Sequence, residues 1–420
     1  MTCDLTKQYI MADKQNSIIK VVGVGGGGGN AVNHMFLQGI NEVSFVVCNT
    51  DSQALKRSPV PNKLLIGDGL GAGNKPTVAL EAAEAAREEI RKMLDDGTKM
   101  VFITAGMGGG TGTGAAPLIA SVARELGILT VGIVTIPFVF EGKRKIRQAL
   151  EGVAVMSEDV DAMLVISNER LCTFYPDSDM TQAFSYADNV LTNAARSIVE
   201  IITIDGHINV DFADVCTVMR NGGVAVMNSG YGEGEGRVTA AINDALNSPL
   251  LNNNDIHKSK KILLNFYCSK TKPVVMKEVG EINEFMDQMG DDIEVIWGVT
   301  YDDTLGDKVK VTLLATGSEM SVVPEELREE LRRKKEQAEQ TGRIYTEEDA
   351  LDAKGQNVGE KPQPKLTWSP KSVDPMQVFQ DKLYGKQVDN ESKVSISLDQ
   401  IDDDDDMLRY METVPAINRR

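Results

Sequence analysis

Within residues 18–117 one local pattern occurs twice: an apolar run of strand length, a dense run of glycine, then a helix-like stretch. The first copy reads "IIKVVGVGGGGGNAV" (18–32) and the second "MVFITAGMGGGTGTGAAP" (100–117). Strands that feed helices through tight turns, over and over, are the pattern of a parallel sheet covered on both faces. Strands are expected at 17–24, 43–48, 100–104, 130–136 and 162–166, with helices at 31–37 and 78–94. In the last of these Ala83, Ala86, Ile90 and Met93 share one face, and Glu88 can pair with Lys92 across one turn. The second glycine run is expected to lead into a helix that begins near Thr113, with Pro117 in its first turn.

A length of 420 residues exceeds what one compact core usually holds, so two ordered domains are expected. Between them the sequence predicts a long helix over 180–203. Asp179 and Gln182 have the spacing of a capping box, and Ala187, Leu191, Ala194, Ile198 and Ile201 form its apolar stripe. At ~1.5 Å per residue it spans roughly 36 Å, the width of a small domain. Strand patterns at 224–227, 262–267, 293–300 and 309–314 then alternate with helical stretches at 237–246 and 273–289, a smaller α+β domain that ends near Gly317. The expected divisions are a disordered start (1–16), a first domain with the long helix (17–203), a second domain (204–317), a charged helix and disordered linker (318–410), and a terminal peptide (411–420).

Composition excludes several classes. The net charge is −18, from 62 acids against 44 bases, so the chain has no excess of base to follow a nucleic-acid backbone. The five cysteines (Cys3, Cys48, Cys172, Cys216, Cys268) are scattered without a C-x-x-C pair, which reads as reduced thiols in a cytosol. The first residues hold no apolar run, so no signal peptide is expected. The longest uncharged apolar run, 126–140, is too short to cross a bilayer, so no direct membrane insertion is expected. His34, His207 and His257 have no ligand spacing, and no metal site is expected from side chains.

Five of the seven residues from Gly108 to Gly114 are glycine, and the run contains no lysine, histidine or carboxylate. A turn needs one or two glycines. A denser run lets backbone N–H groups approach an anion closely, and a following helix adds positive potential. Two such runs on one parallel sheet, with "GLGAGNKP" (69–76) between them, suit a di- or triphosphate gripped from several sides. Neither main run is a P-loop, so the phosphate charge must be met by amides, helix dipoles, a divalent cation and the basic stretch "EGKRK" (141–145). An alternative stays open. Gly23, Gly25 and Gly28 satisfy a dinucleotide-binding fingerprint, and Asp51 stands 23 residues after Gly28.

Set in order, "GVGGGGGNAV" (23–32), "NTDSQAL" (49–55), "GAG" (71–73), "GGGTGTG" (108–114), "PFVFEGK" (137–143) and "NVDFADV" (209–215) resemble the motifs of the FtsZ family, the tubulin-like GTPases of bacterial cell division. The resemblance covers residues 17–317. It implies a tubulin-like GTPase domain with a parallel sheet, a long central helix and a smaller α+β second domain. It also implies GTP as substrate and GDP as product, with Mg2+. On this resemblance Gly26, Gly27, Gly28, Gly29 and Asn30 contact the nucleotide, and Ala72 and Gly73 approach the γ-phosphate. Gly109, Gly110, Thr111, Gly112 and Thr113 hold the phosphates, Glu141 lies near the ribose, Phe184 stacks on the base and Asp188 reads it. A carboxylate at Asp188 suits guanine, which offers donors at N1 and at its exocyclic amine.

The chemistry that the glycines lack is expected in the acids of "GHINVDFADV" (206–215): Asn209, Asp211 and Asp214. Acids can polarise a water or position a cation for phosphoryl transfer, although Asp211 can equally cap the next helix. The resemblance implies that this loop enters the nucleotide pocket of the next copy in a head-to-tail filament at the mid-cell division site in the cytoplasm. It further implies that the terminal "VPAINRR" docks a membrane-tethering adaptor and division regulators. The chain departs from the family pattern at Lys145, where arginine is usual, and at Lys75, where asparagine is usual. Two other readings remain beside the GTPase: a polymer-forming GTP binder with little hydrolysis, and an NAD(P)-dependent enzyme.

Overall fold

The computed structural model describes residues 17–40, 42–175, 177–204, 206–246, 259–289 and 293–317. The expected disordered start, the charged helix, the linker and the terminal peptide lie outside these residues.

Six strands of the first sheet come first in the chain: β1 (Ile19–Val24), β2 (Val43–Asn49), β3 (Asn62–Leu65), β4 (Met100–Gly106), β5 (Leu129–Ile136) and β6 (Ala162–Ser167). The connecting helices are α1 (Gly25–Leu37), α2 (Ser52–Arg57), α3 (Pro76–Ala85), α4 (Arg87–Leu94), α5 (Gly110–Glu125) and α6 (Lys143–Ser157). α7 (Asn168–Phe174) leads to the long α8 (Met180–Thr203). Then come β7 (Gly206–Ile208), α9 (Phe212–Met219), β8 (Gly223–Val224), β9 (Val226–Gly232), α10 (Arg237–Leu246), β10 (Lys261–Cys268), α11 (Met276–Met289), β11 (Glu294–Tyr301) and β12 (Val309–Thr316).

The strand order of the first sheet is β3-β2-β1-β4-β5-β6-β8, and every neighbouring pair is parallel. β1 leads through α1 outward to β2 on one side, and β4 leads through α5 to β5 on the other. The boundary between β1 and β4 is therefore the topological switch point, where ligands of open α/β sheets bind beyond the strands' carboxyl ends. α1 and α8 cover one face, with Ala31, Met35, Leu191 and Ile198 packed on Val21, Phe102 and Val131. α3, α4, α5 and α6 cover the other, with Ile90, Ile119 and Val153 on Val22, Ile103 and Val134. Both faces of the central strands are apolar for this reason.

The second sheet has the order β7-β11-β10-β12-β9 and is mixed, with β10 and β11 parallel and the other pairs antiparallel. It shares one core with the first. Ile198 and Ile201 of α8, Val215 and Met219 of α9, and Leu263 and Leu314 of the second sheet belong to the same buried cluster as β1 and β2. An ion pair from Lys310 on β12 to Glu200 on α8, at 3.1 Å, ties the sheet to the helix at its margin.

The long helix has the predicted bounds, and Asp179 and Gln182 form the predicted reciprocal cap. Three expectations are corrected. The glycine runs are not loops that precede helices: α1 starts at Gly25 and α5 at Gly110, so Pro117 lies inside α5 and not in its first turn. The single helix expected over 78–94 is two helices broken at Ala86, whose ψ of 15° departs from the helical value. The strand expected over 224–227 belongs to two sheets: Val224 ends the last strand of the first, and Val226 starts the edge of the second.

Candidate functional site

Three glycine segments meet at the carboxyl ends of β1, β2 and β4. Gly25 lies against the backbone of Gly112, where a Cβ would stand 2.9 Å from the Gly112 nitrogen. Gly28 is pressed on the carbonyl of Thr104 in β4, and Gly112 on the carbonyl of Gly106, with room for no side chain at either. The third segment is pinned to the end of β2 through Gly71 N–H to Thr50 O and Ser52 N–H to Gly69 O, both at 3.0 Å. Ala72 and Lys75 of that segment close over Gly110. In contrast, Gly26, Gly29, Gly73 and Gly109 have open space where a Cβ would be. So the glycines divide into those that let backbones touch and those that leave a concavity free.

The amino ends of α1 and α5 both open at this concavity. Neither has a side-chain cap, so their first N–H groups are left for another acceptor. The two threonines are spent partly on the loop itself. Thr113 Oγ1 accepts from Gly108 N–H at 2.9 Å, and Thr111 Oγ1 meets Thr50 Oγ1 at 2.7 Å. Gln148 of α6, which the sequence reading passed over, donates from Nε2 to Gly108 O at 3.2 Å and to Gly109 O at 3.0 Å.

To one side of the glycines, where β5 and β6 end, stands an aromatic and polar group. Phe184 in the first turns of α8 meets Phe138 edge-on, ring centroids 5.2 Å apart, and Phe138 stacks on Phe140 at 5.0 Å. One turn on from Phe184, Asp188 is half-buried, and burial pushes its carboxyl up to about 6. Ser167 and Asn168, at the end of β6, keep Ser167 Oγ and Asn168 Oδ1 buried without a hydrogen-bond partner. A buried carbonyl oxygen left unpaired is costly, so Asn168 is a further candidate for ligand contact. Its sequence signal was faint: a polar pair closing an apolar strand.

Glu141 and Lys145 bind each other, Nζ to Oε2 at 3.2 Å, while Glu141 Oε1 accepts from Phe138 N–H at 3.0 Å. Asp51, the acid of the dinucleotide alternative, is committed elsewhere. Its carboxylate caps α2, accepting from Gln53 N–H at 2.8 Å and Ala54 N–H at 3.3 Å.

The acidic residues do not join this group. Asp211 caps α9 and accepts from Asp214 N–H at 2.9 Å, and Asp214 accepts from Asp211 N–H at 3.0 Å. Asn209 Oδ1 closes the preceding turn on Gly206 N–H. Asn209 and Asp211 are exposed. Gly223, just after α9, donates to the carbonyl of Asp161, the residue before β6 begins. The chain just past α9 is therefore at the amino end of β6, and α8, which starts beside Phe138 at the carboxyl end of β5, runs ~36 Å before the chain reaches β7 and the acids, whereas Asn168 and the glycines are at the carboxyl end. The acids and the glycine concavity lie at opposite ends of the first sheet.

A family model for the Tubulin/FtsZ family, GTPase domain, matches residues 18–176, and one for the FtsZ family, C-terminal domain, matches 223–319. The chain is 57% identical over 316 residues to the cell division protein FtsZ of Porphyromonas gingivalis, covering 74% of this chain and 69% of that one.

The chain belongs to the tubulin/FtsZ family.

It is also 46% identical to the cell division protein FtsZ of Coxiella burnetii, over 72% of this chain and 79% of that one. Among solved structures it is similar to an empty FtsZ dimer of M. jannaschii, with a TM-score of 0.65 and 42% identity over 71% of this chain and 88% of the other. Membership of the tubulin/FtsZ family makes this a GTPase domain, with GTP and GDP as its nucleotides. The tubulin-like fold follows equally from the seven-stranded sheet, the long helix and the mixed second sheet. Among the described residues no helix is long and apolar enough to cross a membrane.

Proposed function

We propose that the chain binds GTP in the glycine concavity, polymerises head to tail, and hydrolyses GTP at the junction between two copies. The observation that carries this reading is the separation of the acids from the glycines. The six residues of β6 alone amount to ~20 Å, so one copy does not bring Asp211 or Asp214 to its own phosphates. Apolar side chains left in water at both ends support the stacking. Leu70, Phe140, Met180 and Phe184 are exposed around the glycine end, and Ile204 and Ile208 beside the acids.

In this reading the open backbone at Gly26, Gly29 and Gly109, with Gly27, Asn30, Gly110 and Thr111 beside it, meets the phosphates. Gly28, Gly112 and Thr113 shape the turn that allows it. Ala72 and Gly73 border the γ-phosphate, the Glu141–Lys145 pair faces the ribose, and Phe184 stacks on guanine. Asp188 accepts from guanine N1–H and the exocyclic amine, and Asn168 Oδ1 takes a further donor. Among the described residues no group of three or more His, Cys, Asp or Glu side chains could hold a metal ion. A Mg2+ would be held at least in part by phosphate oxygens and water, which suits its preference for retained waters. Asp211 and Asp214 of the adjoining copy, each with one carboxylate oxygen unspent, polarise the attacking water. The same reading puts the protein in the cytoplasm at the division site, with the peptide at 411–420 docking a membrane-tethering adaptor.

The test is the GTPase rate per molecule against protein concentration. It should rise steeply above a threshold and then level off. A rate per molecule that is flat from well below to well above the micromolar range would sink the shared site.

A further inference from the structure

The residue that organises the phosphate-facing backbone lies outside the glycine runs. α6 crosses behind the β4–α5 junction, and its positions 145, 148, 149 and 152 form one helical face toward it. A Cβ at Gly108 would stand 2.6 Å from Pro137 and 2.9 Å from the carbonyl of Lys145, and Gly152 lies equally close on Thr113. Gln148 is in the middle of this face, 6% exposed, in a helix whose other buried positions are mostly apolar: Ile146, Ala149, Leu150, Val153. A glutamine in that setting needs partners, and it has two. Nε2 donates to the consecutive carbonyls of Gly108 and Gly109. Both acceptors are carbonyl oxygens, so the amide nitrogen must face them.

The consequence follows from peptide geometry. In a trans peptide the C=O and the following N–H point in opposite directions. Drawing the Gly108 and Gly109 carbonyls toward α6 turns the N–H groups of Gly109 and Gly110 the other way. These are the cap and the first residue of α5, and among the described residues neither N–H meets an acceptor. Gly108 has φ of +95°, a conformation in which the chain would otherwise have wide freedom, and its own N–H is fixed by Thr113. One side chain thus holds two carbonyl dipoles away from the place where phosphate charge would sit and aims two donors at it.

We propose that Gln148 is a positioning residue for the nucleotide's phosphates: it touches no ligand and sets the polarity of the backbone that does. The proposal rests on the nucleotide reading above. It is tested in the full-length protein with Gln148→Met, similar in size and without a donor, and with Gln148→Glu, which sets a carboxylate against the two carbonyls. Binding of GTP, GDP and guanosine is measured by calorimetry or competition, and melting is followed without nucleotide.

Gln148→Met should weaken GTP and GDP by about tenfold and leave guanosine within twofold, because guanosine carries no phosphate. Gln148→Glu should weaken the phosphorylated ligands further. The KM for GTP should rise with binding, while the rate per assembled subunit at saturating GTP changes little. Wild-type affinity in both variants would overturn the proposal, as would a parallel loss of guanosine and GTP, which marks a general packing defect. Should Gln148→Glu not fold, Gln148→Met alone decides. A wild-type chain that binds no GTP would refute the nucleotide reading itself, a result separate from either of these.

Discussion

Asp211 and Asp214 are locked to each other through their backbones: each carboxylate accepts the other's N–H, at 2.9 and 3.0 Å. A reciprocal cap fixes both side chains at the start of α9 and leaves one oxygen of each free. The two acids therefore have a structural job and a proposed chemical one, and substitution has to separate them.

Asparagine does so. Asp211→Asn keeps a good cap, since its carbonyl still accepts, whereas Asp211→Ala should cost about 1 kcal/mol of stability. Asp211→Asn and Asp214→Asn should each retain GTP binding and melting temperature yet lose turnover by about a hundredfold or more. Steady-state GTPase assays beside nucleotide binding check this. Near-normal turnover in both variants would reduce the pair to a helix cap.

Asp188 gives a pH signature. Burial raises its carboxyl to about 6 in the folded chain, against 3.8 as the ordinary value. A raised carboxyl binds its proton more tightly folded than unfolded, so it opposes folding at neutral pH. That penalty is relieved as pH falls through 6 toward 4. Guanine recognition runs the other way, because only the anion accepts both donors. Between pH 7.5 and 5.5 the ligand-free protein should gain from this group while GTP affinity falls. Asp188→Asn should flatten the affinity profile and weaken GTP throughout. Denaturant melts and binding titrations at matched pH values measure both.

Lys20 and Asp96 test the far end of β1. Lys20 is buried, and its ammonium reaches Asp96 at 2.7 Å and the carbonyl of Met93. Burial lowers its pKa, and the bond to Asp96 works against that shift. Removing one partner strands the other charge, so Asp96→Ala should cost about 3 kcal/mol, whereas Lys20→Met, which removes the buried charge itself, should be close to neutral. Urea unfolding of the two variants should rank them in that order, with nucleotide affinity unchanged in Lys20→Met.

Much of this was legible from local pattern alone. The 24 residues of α8 carry a cap at the start, an uninterrupted stripe and no glycine or proline, so their bounds could be read directly. The glycine runs were harder. Glycine is the poorest helix former after proline, so five in a row read as loop. They pack as helix starts where Gly28 lies on the carbonyl of Thr104 in β4, a contact between segments more than seventy residues apart in sequence, and where Gly112 folds back on the carbonyl of Gly106. The run through 224–227 hides a change of sheet, since apolar residues serve either one equally. The break at Ala86 has no cause that the sequence or the structure supplies. At the candidate site the glycines are marked by their own density, Phe184 and Asp188 are named only through the family resemblance, and Gln148 and Asn168 carry no mark but polarity at a buried position.

Gly26, Gly29, Gly73 and Gly109 face open space, while Gly28, Gly110, Gly112 and Gly114 face backbone or Cβ atoms at under 3 Å. A recognition surface of this kind is harmed by gaining atoms. Alanine scanning, which elsewhere subtracts a contact, adds an obstruction here. At Gly28 or Gly114 it should wedge whole segments apart, and at Gly26 or Gly109 it should only shade the ligand. The same scan therefore sorts these positions into hinge pins and windows, a division that no side chain records.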